Sequence, residues 1–233
     1  MAKTNDKRKT LINPEAVTLF TVVDPLSTVA EQYRTIRTNL LYSNAESRTQ
    51  SIIVTSSGPS EGKSTTAANL AVIFAQSGIK TLLVDADLRK PTVHRTFDID
   101  NTKGLASLLS VRRMSLGEVI QNSDIRNLDL LPCGPVSPNP SELLSSARMR
   151  KVVHILKSQY DFIIFDVPPI STVTDGQLIA SQVDGSLLVV REGLTDKAGL
   201  DRAVKLLERV DSKILGAVYT GDTGHQDYSY YYS

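Results

Sequence analysis

The sequence has a single cysteine, no apolar run long enough for a membrane and almost no net charge, and each shortage removes a class of protein. Cys133 can form no internal disulfide and cannot by itself build a zinc or iron–sulfur site. The longest apolar runs, such as Leu187 to Val190 and Ile163 to Phe165, fall far short of the roughly 18 residues a membrane span needs. Residues 1–10 are basic with no long apolar stretch behind them, so no signal peptide is expected. Ala2 stands where myristoylation needs glycine. A formal net charge of +1 gives no electrostatic footprint for nucleic acid. What remains is a soluble, cytosolic chain. Its 233 residues, 41% hydrophobic and 22% charged, suffice for one full α/β core.

Hydrophobic spacing organises that chain. Lys3, Lys7, Arg8 and Lys9 make a basic tip, read as a solvated terminus. Residues 28–43 carry Val29, Tyr33, Ile36, Leu40 and Leu41 at helical spacing. Ser51 to Ser56 reads as a buried parallel strand, residues 63–77 as a helix stopped by Gly78, and residues 80–85 as a second strand. Together they form a βαβ unit. Short helices are expected near 104–109 and 115–121, a strand at 128–131, and an ordered proline-rich surface connection through Pro135 to Leu144. Helices at 148–159, 174–182 and 195–210 then alternate with strands at 161–166, 185–190 and 213–219. The alternation predicts an α/β fold, a mostly parallel β-sheet with helices on both faces. Three segments follow: a basic extension at 1–26, a phosphate-loop domain at 27–220, and a tail at 221–233. Four of the eight tyrosines, Tyr228, Tyr230, Tyr231 and Tyr232, fall in the last six residues of that tail.

Ser57, Gly58, Pro59, Ser60, Glu61, Gly62, Lys63, Ser64 and Thr65 lie between the first strand and its helix, where a phosphate-binding loop belongs. Loop amides and the helix N-terminus would surround the phosphates of ATP. Lys63 would meet the β- and γ-phosphates, and the Ser64 hydroxyl would reach Mg²⁺. Ser57 stands where the G-x-x-x-x-G-K-[ST] pattern has glycine.

Asp85, Asp87 and Asp166 follow two apolar strands, and open parallel sheets bind ligands beyond the carboxyl ends of their strands. Oxygen donors at that edge suit Mg²⁺ with a nucleotide, Asp166 being the natural metal-side residue. Asp85 and Asp87 could divide metal contact from orientation of an attacking hydroxyl. Aspartates at such places also serve as helix caps. Arg89 and Lys90 read either as neutralisers of phosphoryl charge or as a solvated pair. His94 could approach the nucleotide edge but reads first as a packing or surface residue, His154 and His225 lack partners at ligand spacing, and Cys133 reads as a small apolar residue.

These residues together resemble the bacterial tyrosine kinases of capsular and exopolysaccharide synthesis, which are P-loop NTPase-like rather than similar to eukaryotic kinases. The likeness rests on Ser56 to Thr65, on Leu82 to Arg89 with its D-x-D-x-R ending, and on Phe162 to Pro168 with D-x-x-P. It includes Glu31, Arg34 and Arg37 as E-x-x-R-x-x-R, and the terminal tyrosines. Ser60 departs from the glycine common in that family's loop, which is expected to alter loop flexibility and ATP affinity. The resemblance implies an ATP- and Mg²⁺-dependent kinase that phosphorylates its own Tyr228, Tyr230, Tyr231 and Tyr232 in trans. Lys63 and Ser64 would then hold the phosphates and metal, Asp87 and Asp166 would organise the metal, and Asp85 would accept the tyrosine proton. Glu31, Arg34 and Arg37 would form the interface of a ring-shaped homo-oligomer. The implied partners are a transmembrane polysaccharide co-polymerase or adaptor, which recruits the kinase to the inner face of the cell membrane, and a cognate tyrosine phosphatase.

The principal alternative is a septum-placement or partition-type P-loop ATPase switch without kinase activity. Such switches carry a second lysine early in the phosphate loop, and Gly58 occupies that position here. A nucleotide-binding adaptor without turnover and a tail used only for protein docking are further readings.

Overall fold

A computed structural model describes residues 16–42 and 49–221. Seven strands build one sheet: β1 (Ser51–Ser56), β2 (Thr81–Asp85), β3 (Gln121–Asn122), β4 (Leu128–Leu131), β5 (Phe162–Asp166), β6 (Gly185–Arg191) and β7 (Ile214–Thr220). Their order is β3-β4-β2-β5-β1-β6-β7. Every neighbouring pair is parallel except β3 with β4. Central strands of such a sheet are covered on both faces, and β1, β2 and β5 are accordingly buried at every residue.

Alternating side chains divide the core into two layers. Ile53, Leu82, Val84, Ile163 and Phe165 belong to one, beneath helices that include α5 (Leu105–Ser110), α6 (Pro140–Ser145), α7 (Ala147–Gln159), α8 (Asp175–Ala180) and α9 (Lys197–Glu208). Ile52, Val54, Leu83 and Ile164 belong to the other, against α2 (Thr28–Tyr42) and α3 (Lys63–Gln76). Helix α3 is buried from Thr66 through Ala75, as a helix between a sheet and another helix must be. Its Phe74 stacks on Phe162 with ring centroids 3.9 Å apart. Of the apolar positions expected to bind α2 to the body, Tyr33 and Leu40 are buried and Ile36 is partly so, while Val29 and Leu41 are exposed.

The expected alternation holds to within a few residues at each element, and the differences are short ones. Residues 115–121 contain only a 3₁₀ turn at Leu116–Glu118 before β3 begins. The proline-rich connection is an ordered loop only as far as Asn139. Pro140 then opens α6 at its first position, where a missing N–H costs nothing, and Leu144 is buried. Two one-turn helices were not legible, α1 (Phe20–Val23) and α4 (Val93–Thr96). Residues 18–21 are tied to α3 by the wholly buried Asn69. Its Oδ1 accepts from the Thr21 amide and hydroxyl, both at 3.0 Å, and its Nδ2 donates to the Thr18 and Thr65 carbonyls at 2.8 and 2.9 Å.

Candidate active site

The parallel register brings the phosphate loop and the acidic strand ends to one edge, with Asp85 directly opposite Asp166. Within the loop, Gly62 has φ +96°, a left-handed conformation natural only to glycine, and its carbonyl accepts the Thr66 amide to start α3. The Glu61 carboxylate is turned into the loop. It accepts from the Ser57 amide (3.0 Å), the Ser57 hydroxyl (2.7 Å) and the Gly58 amide (3.1 Å). Ser57, the departure from glycine, thus adds a hydrogen bond that braces the loop. Outer contacts complete it: Arg191 donates to the Ser60 carbonyl at 2.7 Å, and the Thr220 hydroxyl to the Glu61 carbonyl at 2.9 Å.

Ser60 is exposed with φ +62°, a conformation that costs a residue with a Cβ on the order of 1–2 kcal/mol. Ser60→Gly is therefore expected to stabilise the nucleotide-free protein by about 1 kcal/mol, and Ser60→Val to destabilise it by more. Denaturant unfolding of the two variants checks the opposite signs.

Lys63 is the hub of the polar cluster. Its Nζ donates to Ser64 Oγ at 3.0 Å, Asp87 Oδ2 at 3.1 Å and Asp166 Oδ1 at 3.4 Å. Burial alone would lower its pKa, but Asp166 and Asp87 outweigh that and raise it, so the ammonium stays charged. Asp87 Oδ1 accepts the amides of Arg89 and Lys90 at 3.3 and 3.0 Å. Asp85 Oδ2 accepts the amides of Thr92 and Val93, both at 2.9 Å, so this aspartate does anchor a short helix. Its other oxygen, Oδ1, is buried without a hydrogen-bond partner. Burial, with the Asp166 charge next, pushes Asp85 up to about 8. Burial also raises Asp166, opposed chiefly by Lys63.

Among the described residues, no group of three or more His, Cys, Asp or Glu is placed to hold a metal by itself. The donor set of Ser64, Asp87 and Asp166 is nevertheless all oxygen, and the orphaned Asp85 Oδ1 lies in the same cluster. That chemistry fits Mg²⁺ held jointly with phosphate oxygens. Beside the loop, a groove of about 880 Å³ runs between α2 and β7, lined by Tyr33, Ile36, Gly62, Thr65, Arg191 and Thr220 among others.

Glu31 and Arg34 pair along α2 at 2.8 Å, and Arg34 also donates to the Pro25 carbonyl at 2.6 Å. Arg37 reaches the Ile73 carbonyl of α3 at 3.4 Å. Arg89 is paired with Asp175, a residue outside every sequence motif of the site. An acid at a helix start reads as a cap, and nothing local announces a partner 86 residues away. Cys133 is a buried apolar residue as expected. Tyr228, Tyr230, Tyr231 and Tyr232 and the basic tip lie outside the described residues.

Comparison with known proteins gives three kinds of likeness. Residues 49–216 match the AAA domain family. Tyrosine-protein kinase YwqD of Bacillus subtilis is 47% identical over 212 residues, 90% of this chain and 89% of that one. Tyrosine-protein kinase CpsD of Streptococcus agalactiae is 39% identical over 189 residues, 81% of each. Among solved structures, the kinase domain of the Escherichia coli tyrosine kinase ETK aligns with a TM-score of 0.85 at 33% identity, covering 100% of this chain and 92% of that one. The septum site-determining protein MinD of Pyrococcus horikoshii reaches 0.61 at 23% identity, covering 73% and 69%, and shares the fold.

Proposed function

This chain belongs to the bacterial tyrosine kinases, and from that membership we propose that it transfers the γ-phosphoryl group of ATP to tyrosine, its own Tyr228, Tyr230, Tyr231 and Tyr232 first among the acceptors. It is a protein-tyrosine kinase of the capsule and exopolysaccharide class, and the switch-ATPase reading is the weaker one. The observation that carries the proposed site is the Lys63 ammonium lying between Asp87 and Asp166, beside the unpartnered oxygen of Asp85.

Phosphoryl transfer asks mainly for positioning and charge neutralisation. The loop amides and α3 supply the cradle, and Lys63 supplies the cation. Ser64, Asp87 and Asp166 would hold Mg²⁺, which when bound neutralises charge on the phosphates. A tyrosine hydroxyl titrates near 10 and needs an acceptor as it attacks. Asp85, next to that centre and with one oxygen uncommitted, is the proposed acceptor. The groove beside Gly62 and Thr65 continues from the loop and is the proposed seat of the nucleoside.

Around α2, Val23 and Leu26 are 77% and 94% exposed, and Glu31 and Arg34 hold each other in place on the same element. Apolar surface beside an ordered charge pair supports the reading of Glu31, Arg34 and Arg37 as a subunit interface, through which a tail reaches a neighbour's site. Among the described residues no helix is long and apolar enough to cross a membrane. Recruitment by a transmembrane adaptor is therefore proposed for work at a membrane, and a tyrosine phosphatase for reversal.

The test is intact mass spectrometry after incubation with Mg·ATP, with and without an adaptor's cytosolic segment, followed by peptide mapping. Mass steps of one phosphate each, mapped to the last six residues, are expected. Changing all four tail tyrosines to Phe should erase them and leave ATP binding intact. Hydrolysis with no change in mass, adaptor included, would move the assignment to the switch reading.

A further inference from the structure

Asp175 is wholly buried at the first position of α8, belongs to none of the nucleotide motifs, and has both carboxylate oxygens hydrogen-bonded. Arg89 Nε donates to its Oδ2 at 2.8 Å and Nη2 to its Oδ1 at 3.3 Å, while Ser141 of α6 donates its hydroxyl to the same Oδ1 at 2.6 Å. Arg89 Nη2 also reaches Ser141 Oγ at 3.4 Å. A half-exposed arginine ordinarily samples many rotamers, and a fork on a buried carboxylate removes that freedom.

What this fixes is the turn behind Arg89. The Arg89 and Lys90 amides donate to Asp87 Oδ1, and Asp87 Oδ2 faces Lys63. An unbroken polar path therefore leads from α8 through Asp175, the Arg89 side chain and its backbone turn to Asp87 and Lys63. Packing of α6 and α8 has its own apolar support from Leu144 and Ile179, both wholly buried, so these helices do not need the ion pair to dock.

We propose that Asp175 and Ser141 are positioning residues for phosphoryl transfer: they anchor Arg89, and the anchored Arg89 holds Asp87 in its working place against Lys63. The consequence for rate rests on the kinase reading above, whereas the geometry it asserts does not.

The experiment compares Asp175→Asn, Ser141→Ala, Arg89→Gln and the Arg89→Gln/Asp175→Asn double variant in the full chain. Asp175→Asn should lower kcat for tyrosine labelling about 10- to 100-fold, the usual effect of losing a group that orients a site residue, with KM for ATP changed no more than about twofold. The double variant should be no worse than the poorer single one, because both act through one contact. Hydrogen exchange in the nucleotide-free protein supplies a readout independent of catalysis. In Asp175→Asn the Arg89 and Lys90 amides should exchange about tenfold faster or more, while those of Thr92 and Val93, held by Asp85, keep their protection. Ser141→Ala should show the same pattern more weakly, and it decides the matter if Asp175→Asn fails to fold.

Unchanged exchange at residues 89 and 90 overturns the proposal. So does a uniform rise across residues 85–96, which marks a staple of the fold and nothing finer. Additive losses in the double variant overturn it as well. If the parent protein labels no tyrosine even with an adaptor's cytosolic segment present, the kinase reading has failed, and the exchange pattern still decides whether Asp175 positions Asp87.

Discussion

Replacing Lys63 by Met is expected to bring ATP-dependent tyrosine labelling below detection, a loss of at least about 10³-fold, because one ammonium serves two needs. With nucleotide it is the proposed cation on the β- and γ-phosphates, a charge-neutralising role of the size seen for other fixed cations in phosphoryl transfer. Without nucleotide it is the counter-ion of Asp87 and Asp166, at 3.1 and 3.4 Å, in a site where their side chains are 5% and 1% exposed. Removing one member of a buried ion pair costs about 3–5 kcal/mol when the other stays charged. Asp166, which burial raises and Lys63 holds down, can relieve part of that by taking up a proton once Lys63 is gone, so the loss of stability should be largest at alkaline pH and shrink as pH falls. Melting curves at several pH values check this. A Lys63→Met/Asp87→Asn protein separates the two needs: it should recover much of the melting temperature and none of the labelling. Labelling by the single variant above about 1% of the parent rate would remove Lys63 from the chemistry.

The parts of this site that could be read from the chain are those whose signal is local. The loop announces itself because glycine, lysine and a hydroxyl residue must follow one another between a strand and a helix. Asp85, Asp87 and Asp166 announce themselves because apolar strands end in carboxylates. Strand and helix alternation is legible wherever an element exceeds one full period, as β1, α3 and α7 do. Helices α1 and α4 have four residues each and strand β3 only two, less than the window over which periodicity can be counted. Helix α6 was hidden for another reason, since its opening proline ends the proline-rich run that reads as loop. Contacts distant in sequence were not legible at all. Asp175 with Arg89, and Asn69 with Thr18 and Thr21, join residues whose local patterns are those of an ordinary helix start and an ordinary helix interior. The inward turn of Glu61 belongs here too, since the loop motif speaks for the backbone amides and leaves open where the carboxylate goes, which is onto Ser57 and Gly58.

Asp85→Asn is expected to move stability and activity in opposite directions. In the folded, nucleotide-free protein Asp85 is wholly buried and titrates at about 8, whereas in the unfolded chain a free aspartate titrates near 3.9. Between those values the folded state keeps a proton that the unfolded state has released. Stability from this group therefore falls as pH rises from about 4 to about 8, and is flat below and above that window. Asparagine does not titrate, and its carbonyl can still accept the Thr92 and Val93 amides. The variant should match the parent near pH 4 and exceed it at pH 8 and above by on the order of a few kcal/mol, read from denaturant midpoints across that range. Activity should go the other way. On the proposed role Asp85 receives the tyrosine proton, an amide cannot, and loss of a general base costs about 10²- to 10⁴-fold. The parent supplies a third readout, because kcat/KM reports the ionisation of the free enzyme and should rise with an inflection near 8 that the variant lacks. A variant that keeps its rate to within tenfold would leave Asp85 as the anchor of α4 and nothing more. One that loses its rate while the pH slope of stability persists would place the titration on Asp166, whose carboxylate faces Asp85 across β2 and β5. Gain of stability with loss of rate, and loss of both pH dependences together, is the result a single buried carboxyl gives when the fold prefers it neutral and the chemistry needs it charged.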